Sequence, residues 1–174
     1  MIDNSAFLEG IRHAMGNDGI EEKSSTQAYK LDSPEGVGCH LHFSNSLLSK
    51  VDYFIEKDHI VKLIELSDLE EQIRECQIKH THIASLSARE NRKLRKKAWQ
   101  PLTDEFKKKW CGSIAVIERL YRKNNILDTD PRYKLIIVCR NHTDPRMLDT
   151  LEQQLRGMMG MVTVTNTKNI SSHL

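Results

Sequence analysis

Apolar and polar positions alternate most clearly between Lys50 and Asp68, and the rest of the chain reads as entry to or cover for that stretch. Val51, Tyr53 and Ile55 would share one face of a strand, with Asp52, Phe54 and Glu56 on the other. The polar cluster Glu56-Lys57-Asp58-His59 marks a turn. Beyond it, Val61, Leu63, Glu65 and Ser67 share a face, with Ile60, Lys62, Ile64 and Leu66 opposite. Both faces carry apolar residues, which predicts a strand buried on both sides within a helix-covered sheet.

The flanking segments take their elements from the same reading. Ser5 to Met15 has Phe7, Leu8, Ile11, Ala14 and Met15 at helical spacing behind a capping serine, and predicts a helix that Gly16 stops. Asn17 to Tyr29 is polar and reads as a loop. After the Ser33-Pro34-Glu35-Gly36 turn, Val37 to Phe43 alternates as a strand. Asp68 to about Lys97 predicts a long helix with an incomplete apolar stripe. Pro101 separates it from a second helix, Thr103 to Lys123, where Phe106, Trp110, Ile114, Ile117, Leu120 and Tyr121 form a clean stripe. Tyr133 to Cys139 reads as a buried strand, Pro145 to about Met159 as a helix, and Met161 to Thr167 as a β-branched strand.

A meander of three strands followed by β-α-β units predicts an α/β protein with a central mixed sheet and helices on both faces. One domain covers 1–174, with 68–100 as a long charged helical insertion.

Composition changes little in this picture. Hydrophobic residues make up 39% and charged residues 29%, ordinary for a globular chain, and the net charge of +2 announces no polyanionic partner by itself. Cys39, Cys76, Cys111 and Cys139 lack CxxC spacing and read as reduced thiols, so a cytoplasmic setting is expected. The opening MIDNSAFLEG has no basic stretch leading into an apolar one, so no secretory leader is expected, and no run is long enough to span a membrane.

Local charge says more. Residues 89 to 97, RENRKLRKK, hold six cations (Arg89, Arg92, Lys93, Arg95, Lys96 and Lys97) and one acid, and Lys107, Lys108 and Lys109 follow. Such a run is either a solvated helix end, its cations favourably placed, or a patch for nucleic-acid phosphates spanning 89–109. The apolar stripe of the helix over 68–97 also suits pairing with a second copy. His40 and His42 would point the same way from one strand, either as a metal pair or as a solvated face. Glu65 sits in an apolar run, where an ionised carboxylate is costly unless it is paired or binds a cation.

The element order, αβββαβ with an added αβ unit, resembles the PD-(D/E)XK nuclease superfamily over about Ser5 to Thr167. The resemblance implies a restriction-endonuclease-like core in which Asp52 and Glu65 hold a metal ion, Mg²⁺ or Mn²⁺, with Glu9 as an additional acid on the first helix. The position of the family's lysine falls on Ser67, a departure, and Lys62 lies on the opposite face of its strand. A cation from a neighbouring helix, Lys107 or Lys109, is the candidate substitute. The activity so implied is metal-dependent hydrolysis of nucleic-acid phosphodiesters. Two alternatives stand beside it: a relative that keeps the fold for nucleic-acid or protein binding only, and an unrelated α/β protein in which Glu65 is structural.

Overall fold

The structure is a computed structural model and describes residues 3–14, 19–44, 46–84, 88–156 and 160–174. Six strands form one mixed sheet in the order β1-β2-β3-β4-β5-β6. The strands are β1 (Leu8–Arg12), β2 (Lys23–Lys30), β3 (Tyr53–Lys57), β4 (Ile60–Leu66), β5 (Arg132–Cys139) and β6 (Val162–Asn166). β1 to β4 pair antiparallel, and β4, β5 and β6 run parallel. The four helices are α1 (Val37–His40), α2 (Glu70–Ala84), α3 (Ala88–Lys123) and α4 (Pro145–Arg156). The fold is α/β with a central mixed sheet flanked by helices.

Four expectations from the sequence are corrected. Ser5 to Met15 is not a helix. A 3-10 turn at Asn4–Phe7 leads into β1, and Ile11 is buried in the sheet, while Met15 lies outside the described residues. The polar segment before Tyr29 carries β2, whose side chains alternate in exposure and bury Ala28 alone. Val37 to Phe43 is the short helix α1 followed by a turn, and His42 has a left-handed backbone (φ 66). His40 and His42 therefore share no strand face, and His40 instead packs edge-on against Phe7. Finally, α3 runs straight through Pro101. A proline there removes one helical hydrogen bond, but Ala98, Trp99, Leu102 and Phe106 all bury in the core and carry the helix across it.

Among the described residues the four α-helices all lie on one face of the sheet, rather than on both. Both parallel connections, β4 to β5 and β5 to β6, step the same way across the sheet, and crossovers of one hand put their helices on one side. Accordingly α1, α2, α3 and α4 all enter the core cluster that holds Phe54, Val61, Leu63, Leu135 and Ile137. The other face, with Tyr53, Ile64, Ile136 and Val138, is covered by the C-terminal segment, where Ile170 is fully buried. Leu69, Ile73, Cys76 and Ile83, the stripe that suggested a second copy, pack into the first cluster within the chain. Among the described residues no helix is long and apolar enough to cross a membrane.

Candidate active site

The β3–β4 register sets the site. Tyr53 pairs with Ile64, so one step further puts Asp52 across from Glu65, on the helix-covered face shared by Phe54 and Leu63. Asp52 is fixed at three points. Its carbonyl accepts from the N–H of Leu31 at 2.7 Å and of Asp32 at 3.3 Å. Its Oδ2 accepts from the Leu66 N–H at 2.7 Å. Burial raises its pKa, against the pull of that Leu66 bond.

Glu65 is 1% exposed. Its Oε1 accepts from the Ser67 hydroxyl at 2.9 Å and from the ammonium of Lys109. Its Oε2 is buried and has no hydrogen-bond partner among the described residues. Burial, and then the neighbouring Asp52, push the Glu65 carboxyl up to about 8. Burial opposes the charge on Lys109, but Glu65, Asp52 and Glu105 together hold the ammonium above its ordinary pKa.

Lys109 reaches Glu65 because α3 is locked onto the segment before Asp52. The Ser113 hydroxyl donates to the Lys109 carbonyl at 2.7 Å and accepts from the Val51 N–H at 2.9 Å. Gly112 lies so close to that segment that a Cβ there would stand 2.0 Å from the Ser49 carbonyl oxygen.

Asp52 opens onto a cleft of about 270 Å³ at the end of the sheet, lined also by Glu9, Arg12, His13, Lys30, Asp32, Tyr53 and Leu66. This is where β4, the first of the parallel strands, ends, the usual place for a ligand in an open α/β sheet. Asp32, which the sequence did not single out, faces the wholly buried ammonium of Lys50 at 3.1 Å. Lys50 also donates to the Leu48 carbonyl at 2.9 Å.

Glu9 reaches the cleft from elsewhere than expected. It sits on β1 opposite Ala28, on the far face of the sheet from the Asp52–Glu65 pair. There it accepts from the Tyr53 hydroxyl at 2.8 Å and pairs with Lys30 at 3.2 Å. It is engaged in that network rather than standing beside Glu65. Of the basic run, Lys97 is exposed on α3, while the side chains of Arg89, Arg92, Lys93, Arg95 and Lys96 lie outside the described residues. Lys107 pairs with Asp104 at 3.3 Å on the helix surface.

Asp52 and Glu65 are the carboxylates that could share a hard divalent cation, lying across from each other in the β3–β4 register. Glu65 Oε2 is buried with no hydrogen-bond partner among the described residues once Oε1 has accepted from Lys109 and Ser67. Among the described residues no three His, Cys, Asp or Glu side chains converge on one point, so protein groups alone would not complete a coordination shell. Mg²⁺ characteristically takes one or two carboxylates and fills the rest with water and substrate phosphate oxygens.

Comparison with protein-family models, with curated proteins and with solved structures finds no match to this chain.

Proposed function

We propose that this protein is a metal-dependent nuclease of the PD-(D/E)XK kind, with Asp52 and Glu65 as the ion's carboxylates and Lys109 in the part the family gives to a strand lysine. One observation carries the reading. A buried Glu65 divides its two oxygens, one held by Lys109 and Ser67, the other buried next to Asp52 without a partner among the described residues. A bound Mg²⁺ or Mn²⁺ would supply a Lewis acid for the scissile phosphate and an acidified water.

The chain's own residues account for the remainder. Lys109 places a fixed positive charge where negative charge grows on the phosphate, in a site that excludes much of the solvent. Ser67, in the motif's lysine position, supports Glu65 through a hydrogen bond and carries no charge. The cations of residues 89–97 would draw the polyanion in.

The closed ion pair between Lys109 and Glu65 also favours a second reading, in which the fold is retained for binding and the lysine neutralises a disused carboxylate. Calorimetric titration with Mn²⁺ and Mg²⁺ separates the two. Uptake by wild type that Asp52→Ala abolishes supports the nuclease. Absence of uptake by wild type leaves the binding module.

A further inference from the structure

The described residues between β1 and β2, 13–14 and 19–22, are tied to the ends of β5 and β6 at several points. Arg140, just past β5, donates to the carbonyls of Ala14 at 2.7 Å and Ile20 at 3.2 Å. The Glu22 carboxylate accepts from the Asn141 N–H at 3.0 Å and from the Thr167 hydroxyl at 2.7 Å. The backbone N–H of His13 donates to the Glu22 carbonyl at 2.9 Å. Together these bonds hold His13 in the wall of the cleft that Asp52 also lines.

His13 is 4% exposed. Its ring lies near the backbone of Cys139. Its Nε2 is buried with no hydrogen-bond partner among the described residues. Orphaned buried polar atoms are rare in native proteins, and one at the wall of a polar cleft marks a place where a ligand or water group belongs. A neutral imidazole carries one bare nitrogen, and with Nε2 bare the group it suits is a donor.

The hydrolysis proposed above lacks a group to receive the water's proton. Lys109 is held as an ammonium, and the Ser67 hydroxyl is turned toward Glu65. We propose that His13 is the proton acceptor of this cleft, taking through Nε2 the proton released when water attacks the phosphodiester. The role rests on the nuclease reading of Asp52 and Glu65. In the step, a water O–H bond breaks and its proton passes to Nε2, directly or through one intervening water, while the oxygen forms the new P–O bond. The P–O bond to the leaving group breaks, and the leaving alkoxide takes a proton from solvent. No oxidation or reduction occurs. Burial, assisted by Arg140 and opposed by Glu22 and Asp68, lowers the pKa of the ring and favours its neutral form.

Two measurements on the full chain test the proposal. Nitrogen-15 NMR of the histidine rings in wild type reads the tautomer at neutral pH and needs no substitution. A bare Nε2 and a protonated Nδ1 on His13 are expected, and a protonated Nε2 overturns the role. The second compares wild type with His13→Gln in Mn²⁺ calorimetry and in Mg²⁺-dependent cleavage of plasmid DNA and single-stranded RNA. His13→Gln is expected to bind Mn²⁺ within about twofold of wild type, to keep KM, and to lose roughly 100-fold or more in kcat. Wild-type metal uptake with cleavage that His13→Gln leaves unchanged overturns the histidine's role alone. Absence of metal uptake by wild type overturns the nuclease reading, and this role with it.

Discussion

Lys109 on α3 contacts the Glu65 carboxylate on β4 from 44 residues away in the chain. The contact brings a cation to the side of a carboxylate that also accepts from Ser67, the residue just past the end of β4. Lys109 is partly buried and Glu65 almost wholly so, so each partner loses hydration that the other replaces. Removing the lysine alone leaves a buried carboxylate with one weak donor. At about pH 9, where Glu65 is ionised, Lys109→Met should therefore destabilise the metal-free protein by ~2 kcal/mol, less than the full cost of a broken buried pair because Glu65 can take up a proton. Adding Glu65→Gln should restore most of the loss. Urea unfolding of the two single variants and the double variant reads the coupling, and additive effects would mean the pair is not energetically linked.

Glu65 also sets a pH dependence. Its folded pKa is raised to about 8 from the ordinary 4.5, first by burial and then by Asp52. A carboxyl raised in the folded state binds its proton more tightly there than in the unfolded chain. Its contribution to stability is complete below about pH 4.5 and is lost as pH rises through about 8. Glu65→Gln lacks this titration. In EDTA, the variant's unfolding midpoint should gain on wild type steadily from about pH 5 to about pH 9. A difference that stays flat over that range would show that Glu65 is ionised throughout.

The docking of α3 on the Ser49–Val51 segment is a third point of leverage. At Gly112 an added methyl group would meet the Ser49 carbonyl oxygen at 2.0 Å, and a backbone atom cannot swing aside. At Gly38 the nearest obstacle is Cε of Lys50 at 2.7 Å, part of a side chain held by Asp32 and the Leu48 carbonyl yet freer to shift than backbone, although the Leu31 carbonyl stands at 3.0 Å. Gly112→Ala should lower stability by ~3 kcal/mol, and Gly38→Ala by less. Thermal melts should show the first falling by roughly 6–12 °C. Because the displaced turn carries Lys109, Gly112→Ala should also weaken the pH effect at Glu65. Equal melting temperatures for the two variants would refute this view of the helix register.

How far the sequence discloses this architecture depends on the strength of the local pattern. The β3–β4 hairpin was legible because alternation, a polar turn and β-branched residues agree over Tyr53 to Leu66. β5, α4 and β6 were legible for similar reasons. β1 and β2 were not. β1 is five residues long, and its apolar positions fit a helical period equally well. β2 reads KSSTQAYK, and only Ala28 is buried, because the strand lies near the sheet's edge where packing asks little of its side chains. Pairing with β3 made it a strand, and that is a tertiary effect. The juxtaposition of Asp52 and Glu65 follows from register and could be read from the sequence, but His13, Asp32 and Lys50 could not. Each enters the site's surroundings through a loop whose path the sequence leaves open. Lys109 stood only among several lysines until the position of Gly112 and Ser113 chose it.

The cations of 89–97 bear on the proposed contact with a nucleic-acid backbone. α3 carries Arg92, Lys93, Lys96 and Lys97 within two turns of one another, before the helix reaches the core at Ala98 and Trp99. If a phosphate chain follows that stretch, each contact releases a condensed counterion, and affinity falls with salt in proportion to the number of contacts. Reversing the four charges to glutamate should weaken retention of a DNA or RNA oligonucleotide. It should also flatten the slope of log affinity against log salt by about 3 to 4, the change expected for four phosphate contacts at 0.7 to 0.9 each. Mn²⁺ uptake at Asp52 and Glu65 should be untouched, since α3 is anchored near that site by Gly112 and Ser113. Fluorescence anisotropy across a salt series gives the slope directly. An unchanged slope would mean that these cations only solvate the helix, and that the polyanion, if one binds, approaches the cleft past Arg12 and Lys30 instead.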